Sequence, residues 1–133
     1  MEISIKELSK IAKAAASRAY CPYSNYPVGA ALVSQSGEIY QGCNVESSSY
    51  GLSVCAERNA IASALVDGVK DFSKLVIYSK NGATPCGACR QVIWDICGEI
   101  PVYSVDNDNN LQKYNSKKLL PKPFGANKLE NNK

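Results

Sequence analysis

The sequence predicts a single α/β domain, a three-layer α/β/α sandwich around a mixed central sheet. The chain has 133 residues, which is room for one domain but not for two. Short apolar runs with strand character alternate along it with stretches whose apolar residues recur at helical spacing. We therefore expect residues 1–126 to form the domain and residues 127–133 to be a mobile tail rich in Asn and Lys.

The first elements are a helix and a β-hairpin. Apolar residues at helical spacing, with a capping box formed by Ser4 and Glu7, predict a helix over residues 4–19. Two apolar runs, at residues 28–33 and 38–43, flank a Ser-Gly turn and predict the hairpin.

Helices and strands then alternate to the end of the domain. After a polar, serine-rich loop, the predicted elements are a helix over residues 54–66, a buried strand over 75–79, a helix from 86 to 97, a strand over 101–105, an edge strand over 111–114 and a short helix ending at 121. This alternation of strands and helices indicates helices on both faces of the sheet.

The sequence contains no histidine, and this absence excludes several kinds of active site. Ser-His and Cys-His nucleophilic sites, His-ligated zinc and His general bases are all impossible. Any metal must be held by Cys, Asp or Glu, and any proton shuttle must be a carboxylate, Lys, Tyr or Cys. No apolar run approaches the roughly 18 residues that a membrane span needs. We expect a cytoplasmic protein with no membrane partner.

The net charge of +3 does not describe the whole surface. Residues 113–133 carry six lysines and one glutamate, so the rest of the chain has a net charge of −2. The basic end lacks arginine and has few aromatic residues, which is typical of a solvated tail rather than a nucleic-acid surface. We expect no nucleic-acid partner.

Three of the six cysteines stand at the starts of two predicted helices: Cys55 before one, and Cys86 and Cys89 at the other. Side chains three apart in a first helical turn share one face, so the last two can reach one ion. Zinc prefers soft sulfur ligands, and two positive helix ends stabilise thiolates. Because disulfides are rare in the cytoplasm, the pattern indicates a metal or catalytic site. We expect one zinc ion per chain on these three residues.

The number of ligands favours catalysis. Structural zinc sites use four protein ligands, whereas catalytic sites use three and keep a position open for water. Cys21 lies in a loop, and Cys43 and Cys97 are interpreted as small core residues. Glu57, two residues after Cys55, can lie beside the metal without binding it, as a proton shuttle does. The alternative is a solvated glutamate favoured by the helix dipole.

Six stretches between residues 8 and 124 resemble, in order, the small homotetrameric type of zinc-dependent cytidine deaminase. Zinc deaminases as a class carry a Pro-Cys-x-x-Cys signature and a glutamate that does not bind the metal. The matching stretches are Cys-Pro-Tyr-Ser at 21–24, Val-Gly-Ala-Ala at 28–31, Gly-Cys-Asn-Val-Glu at 42–46, Cys-Ala-Glu-Arg at 55–58, Pro-Cys-Gly-Ala-Cys-Arg-Gln at 85–91 and Leu-Leu-Pro at 119–121.

The resemblance implies a cytidine deaminase-like fold and a reaction. The reaction is the hydrolytic deamination of free cytidine and 2′-deoxycytidine to uridine and 2′-deoxyuridine plus ammonia, in pyrimidine salvage, by a homotetramer with shared active sites. The implied roles are Cys55, Cys86 and Cys89 as zinc ligands, Glu57 as proton shuttle, Asn44 and Glu46 on the ribose 3′-hydroxyl, the Ala56 backbone on the pyrimidine carbonyl, Tyr26 and a neighbouring subunit's Phe124 on the base, and Arg58 on the zinc thiolates.

Physical arguments accompany several of these roles. Asn44 and Glu46, at i and i+2 of an extended segment, point the same way and can grip one hydroxyl, although an Asx-turn is the alternative. Tyr26 replaces the family's usual phenylalanine, so it keeps an aromatic face and adds a hydroxyl. Arg58 can withdraw charge from three thiolates that would otherwise hinder ionisation of zinc-bound water, unless it is a surface cation.

Three other functions remain open from the sequence. A blasticidin-type or other small aminohydrolase shares the zinc core but does not need Asn44 and Glu46. A thioredoxin-like redox protein explains the Cys-x-x-Cys pair but neither Cys55 nor Glu57. A non-catalytic zinc-stabilised module requires a fourth protein ligand, which the pattern does not supply.

Overall fold

The structure, a computed structural model, describes residues 2–129. Its α-helices and β-strands, in chain order, are α1 (Ile5–Ala16), β1 (Val28–Ser34), β2 (Ile39–Cys43), α2 (Ala56–Val66), β3 (Phe72–Ser79), α3 (Gly87–Cys97), β4 (Pro101–Val105), β5 (Leu111–Asn115) and α4 (Ser116–Leu119). Two short 3-10 turns span Tyr50–Leu52 and Ala126–Lys128. Of the predicted mobile tail, residues 130–133 lie outside the described residues.

The five strands form one mixed sheet in the order β2-β1-β3-β4-β5. β3 and β4 pair in parallel through the α3 crossover, and the other three pairings are antiparallel. The predicted hairpin is therefore β1 and β2, and the predicted edge strand is β5. The predicted fold class, an α/β fold with a mixed central sheet, is confirmed.

Alternate residues of each strand pack on opposite faces of the sheet, as the two-residue period of a strand requires. Along β1, Ala30 and Leu32 belong to the core shared with α2 and α3. Ala31 and Val33 belong to a second core under α1. These two cores separate the three layers of the sandwich.

Two glycines let helices lie directly on the sheet. A Cβ atom on Gly42 of β2 would lie 2.2 Å from the Ala56 carbonyl oxygen and 2.5 Å from the Ala60 nitrogen. A Cβ on Gly29 of β1 would lie 1.8 Å from the Ala12 carbonyl oxygen. Gly42 thus sets how closely α2 packs on the sheet. This helix carries Cys55 and Glu57 at its start.

The helix boundaries differ from prediction by a few residues. α1 ends at Ala16 and not at Ala19, because the amides of residues 18 and 19 bond carbonyls three residues back, in a tighter turn. α4 ends before Leu120, whose backbone leaves the helical region, as is typical of the residue preceding a proline. Within residues 2–129, none of the helices is both long and apolar enough to cross a membrane.

Candidate metal centre and active site

The starts of α2 and α3 carry the three predicted metal ligands. Cys55 is the N-cap residue of α2, and Cys86 is the N-cap residue of α3. Cys89 lies in the first turn of α3 and is completely buried. Neither N-cap side chain caps a backbone amide of its own helix, so both sulfurs are available to a common ligand.

The three sulfurs form a cluster of the size that zinc needs. All three Sγ atoms lie within 4.8 Å of one another, and those of Cys55 and Cys86 are 3.8 Å apart. Zn–S bonds of about 2.3 Å at tetrahedral angles place sulfurs roughly 3.8 Å apart. In the described part of the chain, Cys21, Cys43 and Cys97 are outside this cluster. The donor set therefore fits a three-cysteine zinc site with one open position.

Hydrogen bonds between the thiols shift the pKa values of Cys55 and Cys89 in opposite directions. The hydrogen bond from Cys89 lowers the pKa of the Cys55 thiol to about 5, with further bonds from Arg58 and Cys86. The same hydrogen bond, together with burial, raises the pKa of Cys89, which keeps its proton. A metal ion that binds the cluster takes the place of this proton, and the proton is released.

Arg58 lies beside the sulfurs, as the sequence predicts. Its Nη2 atom is 3.6 Å from Cys55 Sγ, and hydrogen bonds to the sulfurs of Cys55 and Cys89 raise the pKa of the guanidinium. Its buried Nε atom has no hydrogen-bond partner among the described residues. The guanidinium is therefore a source of positive charge directed at the cluster rather than a solvated surface cation.

Glu57 lies in the first turn of α2, with 5% of its surface exposed. Burial raises the pKa of this carboxyl group to about 7, and the Cys55 charge acts in the same direction. A group with this pKa accepts and releases protons near neutral pH, as a general acid–base catalyst must. Its burial excludes the alternative of a solvated glutamate.

Asn44 and Glu46 both hold the loop that precedes β1. Asn44 Oδ1 accepts from the Val28 amide at 2.9 Å, and Asn44 Nδ2 donates to the Tyr26 carbonyl at 2.9 Å. Glu46 Oε1 accepts from the amides of Tyr23 and Ser24, and Oε2 accepts from the Ser24 hydroxyl.

These bonds leave hydrogen-bonding capacity on both side chains. The Asn44 amide nitrogen has a second N–H, and each Glu46 oxygen has two lone pairs, of which Oε2 uses one. Ser24 lowers the pKa of Glu46, so this side chain is ionised near neutral pH. Glu46 also lines an open hollow of about 310 Å³ with Tyr23, Ser24, Tyr50 and Ser53. The arrangement is compatible with both the hydroxyl-binding role and a loop-holding role.

Ala56 and Tyr26 are two further residues for which the sequence predicts a contact with the substrate. Ala56 is the first residue of α2, so its buried amide has no acceptor within the helix. The Tyr26 hydroxyl donates to Asn81 Oδ1, in the loop that leads to Cys86. The extra hydroxyl of Tyr26 therefore ties its ring to the metal-binding loop.

Phe124 projects from the C-terminal end of the domain, with 56% of its surface exposed. Its carbonyl oxygen accepts from Gln91 Nε2 of α3 at 2.8 Å. The sequence did not assign a role to Gln91, or to its neighbour Arg90, which bonds the Pro85 carbonyl, Thr84 and the Leu119 carbonyl. The signal for both residues in the sequence was their place in the stretch at 85–91 that resembles the family.

Residues 3–104 match the family model described as the cytidine and deoxycytidylate deaminase zinc-binding region. A cytidine deaminase of Sporosarcina psychrophila is 42% identical over 130 residues, 96% of each chain. A probable cytidine deaminase of Dictyostelium discoideum is 44% identical over 114 residues, covering 84% of this chain and 77% of that protein.

Solved structures give the same result. The crystal structure of cytidine deaminase from Burkholderia pseudomallei superposes with a TM-score of 0.89 at 39% identity, covering 92% of this chain and 100% of that one. The structure of cytidine deaminase from Mycobacterium tuberculosis gives 0.78 at 32% identity, over 93% and 99% of the two chains. Both the sequence and the fold thus match over nearly the full length.

Proposed function

The chain belongs to the zinc-binding cytidine and deoxycytidylate deaminase family, and from this premise we propose that it hydrolyses free cytidine and 2′-deoxycytidine to uridine and 2′-deoxyuridine plus ammonia. The observation that carries the proposal is the combination of three convergent sulfurs with one buried carboxylate that is not among them. Three ligands leave a position open for water, and Glu57 provides the proton transfer that hydrolysis needs.

Zinc, when bound by Cys55, Cys86 and Cys89, supplies an activated water for attack on C4 of the pyrimidine. Glu57 takes the proton of this water and delivers it to N3 of the ring. It then carries the second proton of the water to the exocyclic nitrogen, which leaves as ammonia. Water and the amine are thereby converted to the product carbonyl and ammonia, with Glu57 returned to its starting state. Burial raises the pKa of Glu57, which favours uptake of the proton from the water.

Arg58 reduces the negative charge of the zinc cluster. Three thiolates on one divalent cation leave a net negative charge, which opposes ionisation of the bound water. The Arg58 guanidinium, 3.6 Å from Cys55 Sγ, withdraws part of this charge through a charge-assisted contact.

Contacts with both the ribose and the base position the substrate. Asn44 and Glu46 bind the ribose 3′-hydroxyl with the hydrogen-bonding groups that the loop leaves free. The Ala56 amide, which has no acceptor within α2, donates to the pyrimidine carbonyl, and the Tyr26 ring packs on the base. A sugar contact distinguishes a nucleoside deaminase from an aminohydrolase of smaller substrates.

The functional unit is a homotetramer in which Phe124 of one subunit covers the base bound by another. The exposure of Phe124 supports this role, because an exposed aromatic side chain held by a backbone hydrogen bond is available to a partner. The protein acts in the cytoplasm, in pyrimidine salvage, and neither nucleic acid nor a membrane is a partner.

Incubation of the purified protein with a panel of cytosine and adenine nucleosides, with ammonia release and zinc content measured, tests the function. We expect ammonia from cytidine and 2′-deoxycytidine and one zinc ion per chain. Cys55→Ser, Cys86→Ser and Cys89→Ser should each lose metal and activity. Activity that persists in the metal-free protein, or two zinc ions per chain, would contradict the proposal.

A further inference from the structure

One guanidinium joins the metal-binding loop to the C-terminal end of the domain. Arg90 Nε donates to the Pro85 carbonyl at 2.8 Å, and Arg90 Nη2 donates to the Thr84 hydroxyl at 3.1 Å. Its third nitrogen, Nη1, donates to the Leu119 carbonyl at 3.1 Å. The three nitrogens of the planar group thus have three different acceptors in two separate segments.

The loop acceptors are adjacent to a metal ligand. Pro85 directly precedes Cys86, so the bond from Arg90 Nε fixes the carbonyl of the peptide that leads into the ligand. Cys86 itself is exposed and makes no cap bond to its own helix. The loop lacks regular structure, so its position depends on side chains that hold it, and Arg90 holds its last two residues.

The Leu119 acceptor belongs to the segment that leads to Phe124. Leu119 ends α4, and the chain then continues through Pro121 to Phe124 without regular structure. The other anchor of this segment, here named the arm (residues 119–124), is the bond from Gln91 to the Phe124 carbonyl. Both anchors come from consecutive residues of α3, directly after the ligand Cys89.

Arg90 is not part of a salt bridge within residues 2–129. Its charge is directed instead at two backbone carbonyls and one hydroxyl, all of them neutral. A guanidinium offers donors in a rigid, planar fork, so it fixes the relative positions of its acceptors, which a flexible ammonium group does not.

We infer that Arg90 is a positioning residue that sets the metal-binding loop and the Phe124 arm in one fixed relation. This inference rests on the proposed function, because it assigns the loop to zinc and the arm to the substrate. Loss of Arg90 releases Cys86 on one side and the arm on the other. It leaves Glu57 and Arg58, which belong to α2, in place.

The first test is Arg90→Gln in the full chain, compared with Arg18→Gln as a matched control. Arg18 is exposed and bonds only Gln41 through its side chain in the described structure. We expect zinc affinity, measured by chelator competition, to fall by about 10- to 100-fold for Arg90→Gln. The absorption spectrum of the Co²⁺-substituted protein should also change. At saturating zinc, KM for cytidine should rise about tenfold with kcat nearly unchanged.

A second variant keeps the test decisive if Arg90→Gln does not fold. Arg90→Lys retains the charge and the aliphatic stem, but a single ammonium cannot serve both segments. We expect the same rise in KM for this variant. Wild-type KM together with wild-type zinc affinity in Arg90→Lys would overturn the inference.

The connection to the arm is tested with Phe124→Ala. If Arg90 acts through the arm, the KM increases of Arg90→Gln and Phe124→Ala are not additive in the double variant. Additive increases with an unchanged Co²⁺ spectrum would overturn the inference while leaving the deaminase function intact. If the wild-type protein releases no ammonia, the function fails, whereas zinc affinity and the Co²⁺ spectrum still test the connection to the loop.

Discussion

At the scale of single residues, the surroundings of Glu57 explain its proposed role in proton transfer most directly. It is buried in the first turn of α2, and its pKa is raised to about 7. Glu57→Gln keeps the shape of the side chain and removes its proton transfer. We expect zinc content and nucleoside binding to be retained, and kcat to fall by about 10²–10⁴-fold or more.

Metal analysis, calorimetric binding of cytidine and steady-state kinetics measure these three properties. Glu7→Gln is the matched control, because Glu7 is exposed on α1 and far along the chain from the cluster. If Glu57→Gln instead loses its zinc, Glu57 is a ligand and the proposed proton shuttle is wrong.

Asn44 and Glu46 require a test that leaves their side chains intact. Because both also hold residues 23–28, a substitution would disturb the loop as well as any sugar contact. Changing the substrate separates the two roles. A site that bonds a hydroxyl leaves its own polar groups unpaired when that hydroxyl is missing.

We therefore expect 3′-deoxycytidine to be a poor substrate and 2′-deoxycytidine to be turned over nearly as well as cytidine. The measurement is kcat/KM for the three nucleosides under the same conditions. Equal kcat/KM for cytidine and 3′-deoxycytidine would limit Asn44 and Glu46 to holding the loop.

The sequence predicted the metal cluster more fully than it predicted the residues that support it. Cys55, Cys86 and Cys89 were identifiable because their spacing at two helix starts has a direct geometric meaning. The links made by Arg90 were not, because two of its acceptors are backbone carbonyls and one of these lies 29 residues away. A carbonyl is present at every residue, so only the folded chain shows which one is used.

At the scale of elements, the position of α2 depends on a glycine in the neighbouring strand. A methyl group at Gly42 would lie 2.2 Å from the Ala56 carbonyl oxygen, so α2 or β2 must move. Both atoms that it would meet first belong to the backbone, which does not adjust as a flexible side chain does. Gly42→Ala should lower the free energy of unfolding by about 1–3 kcal/mol, as overpacked cores do.

Because α2 begins with Cys55 and Glu57, the same shift should reduce zinc affinity and kcat/KM. Urea denaturation and chelator competition measure the two effects. Gly51→Ala is the matched control, since nothing lies within 4 Å of the added methyl group there. Equal stability of the two variants would show that α2 adjusts without cost.

The elements themselves were largely predictable, and their ends were not. Hydrophobic periodicity located the hairpin and the strand Pro101–Val105, because a strand whose two faces differ in burial carries an alternating apolar pattern in its sequence. The last turn of a helix depends on local competition between hydrogen bonds, as after Ala16. The 3-10 turn at Tyr50–Leu52 lies inside the predicted polar loop, where periodicity carries no signal.

At the scale of the whole molecule, several large apolar side chains remain exposed on the single chain. They are Tyr50, Leu52, Val66 and Phe124, with exposures of 74%, 71%, 90% and 56%. Exposed apolar residues beyond scattered single examples are typical of interaction surfaces. If the chain forms the proposed tetramer, we expect contacts between subunits to cover side chains of this kind.

Truncation after Pro121 removes Phe124 together with its bond to Gln91, and leaves the cysteine cluster and every strand in place. We expect the truncated chain to retain zinc and helical content, and to lose activity. Metal analysis, circular dichroism and ammonia release measure these properties. Activity equal to that of the full chain would exclude Phe124 from the site.

Mixed tetramers show whether Phe124 acts in its own chain or in a neighbouring one. The truncated chain lacks Phe124 but has Glu57, and the Glu57→Gln chain lacks the carboxylate but has Phe124. If each site takes Glu57 from one chain and Phe124 from another, a truncated chain beside a Glu57→Gln chain completes one working site. In randomly mixed tetramers with closed symmetry, about a quarter of the sites are then complete. Coexpression with two different tags and tandem purification isolates the mixed assemblies, and ammonia release is compared with that of each parent. Because neither parent is active alone, recovered activity comes only from a site shared between subunits, whereas inactive mixed tetramers would assign Phe124 to its own chain.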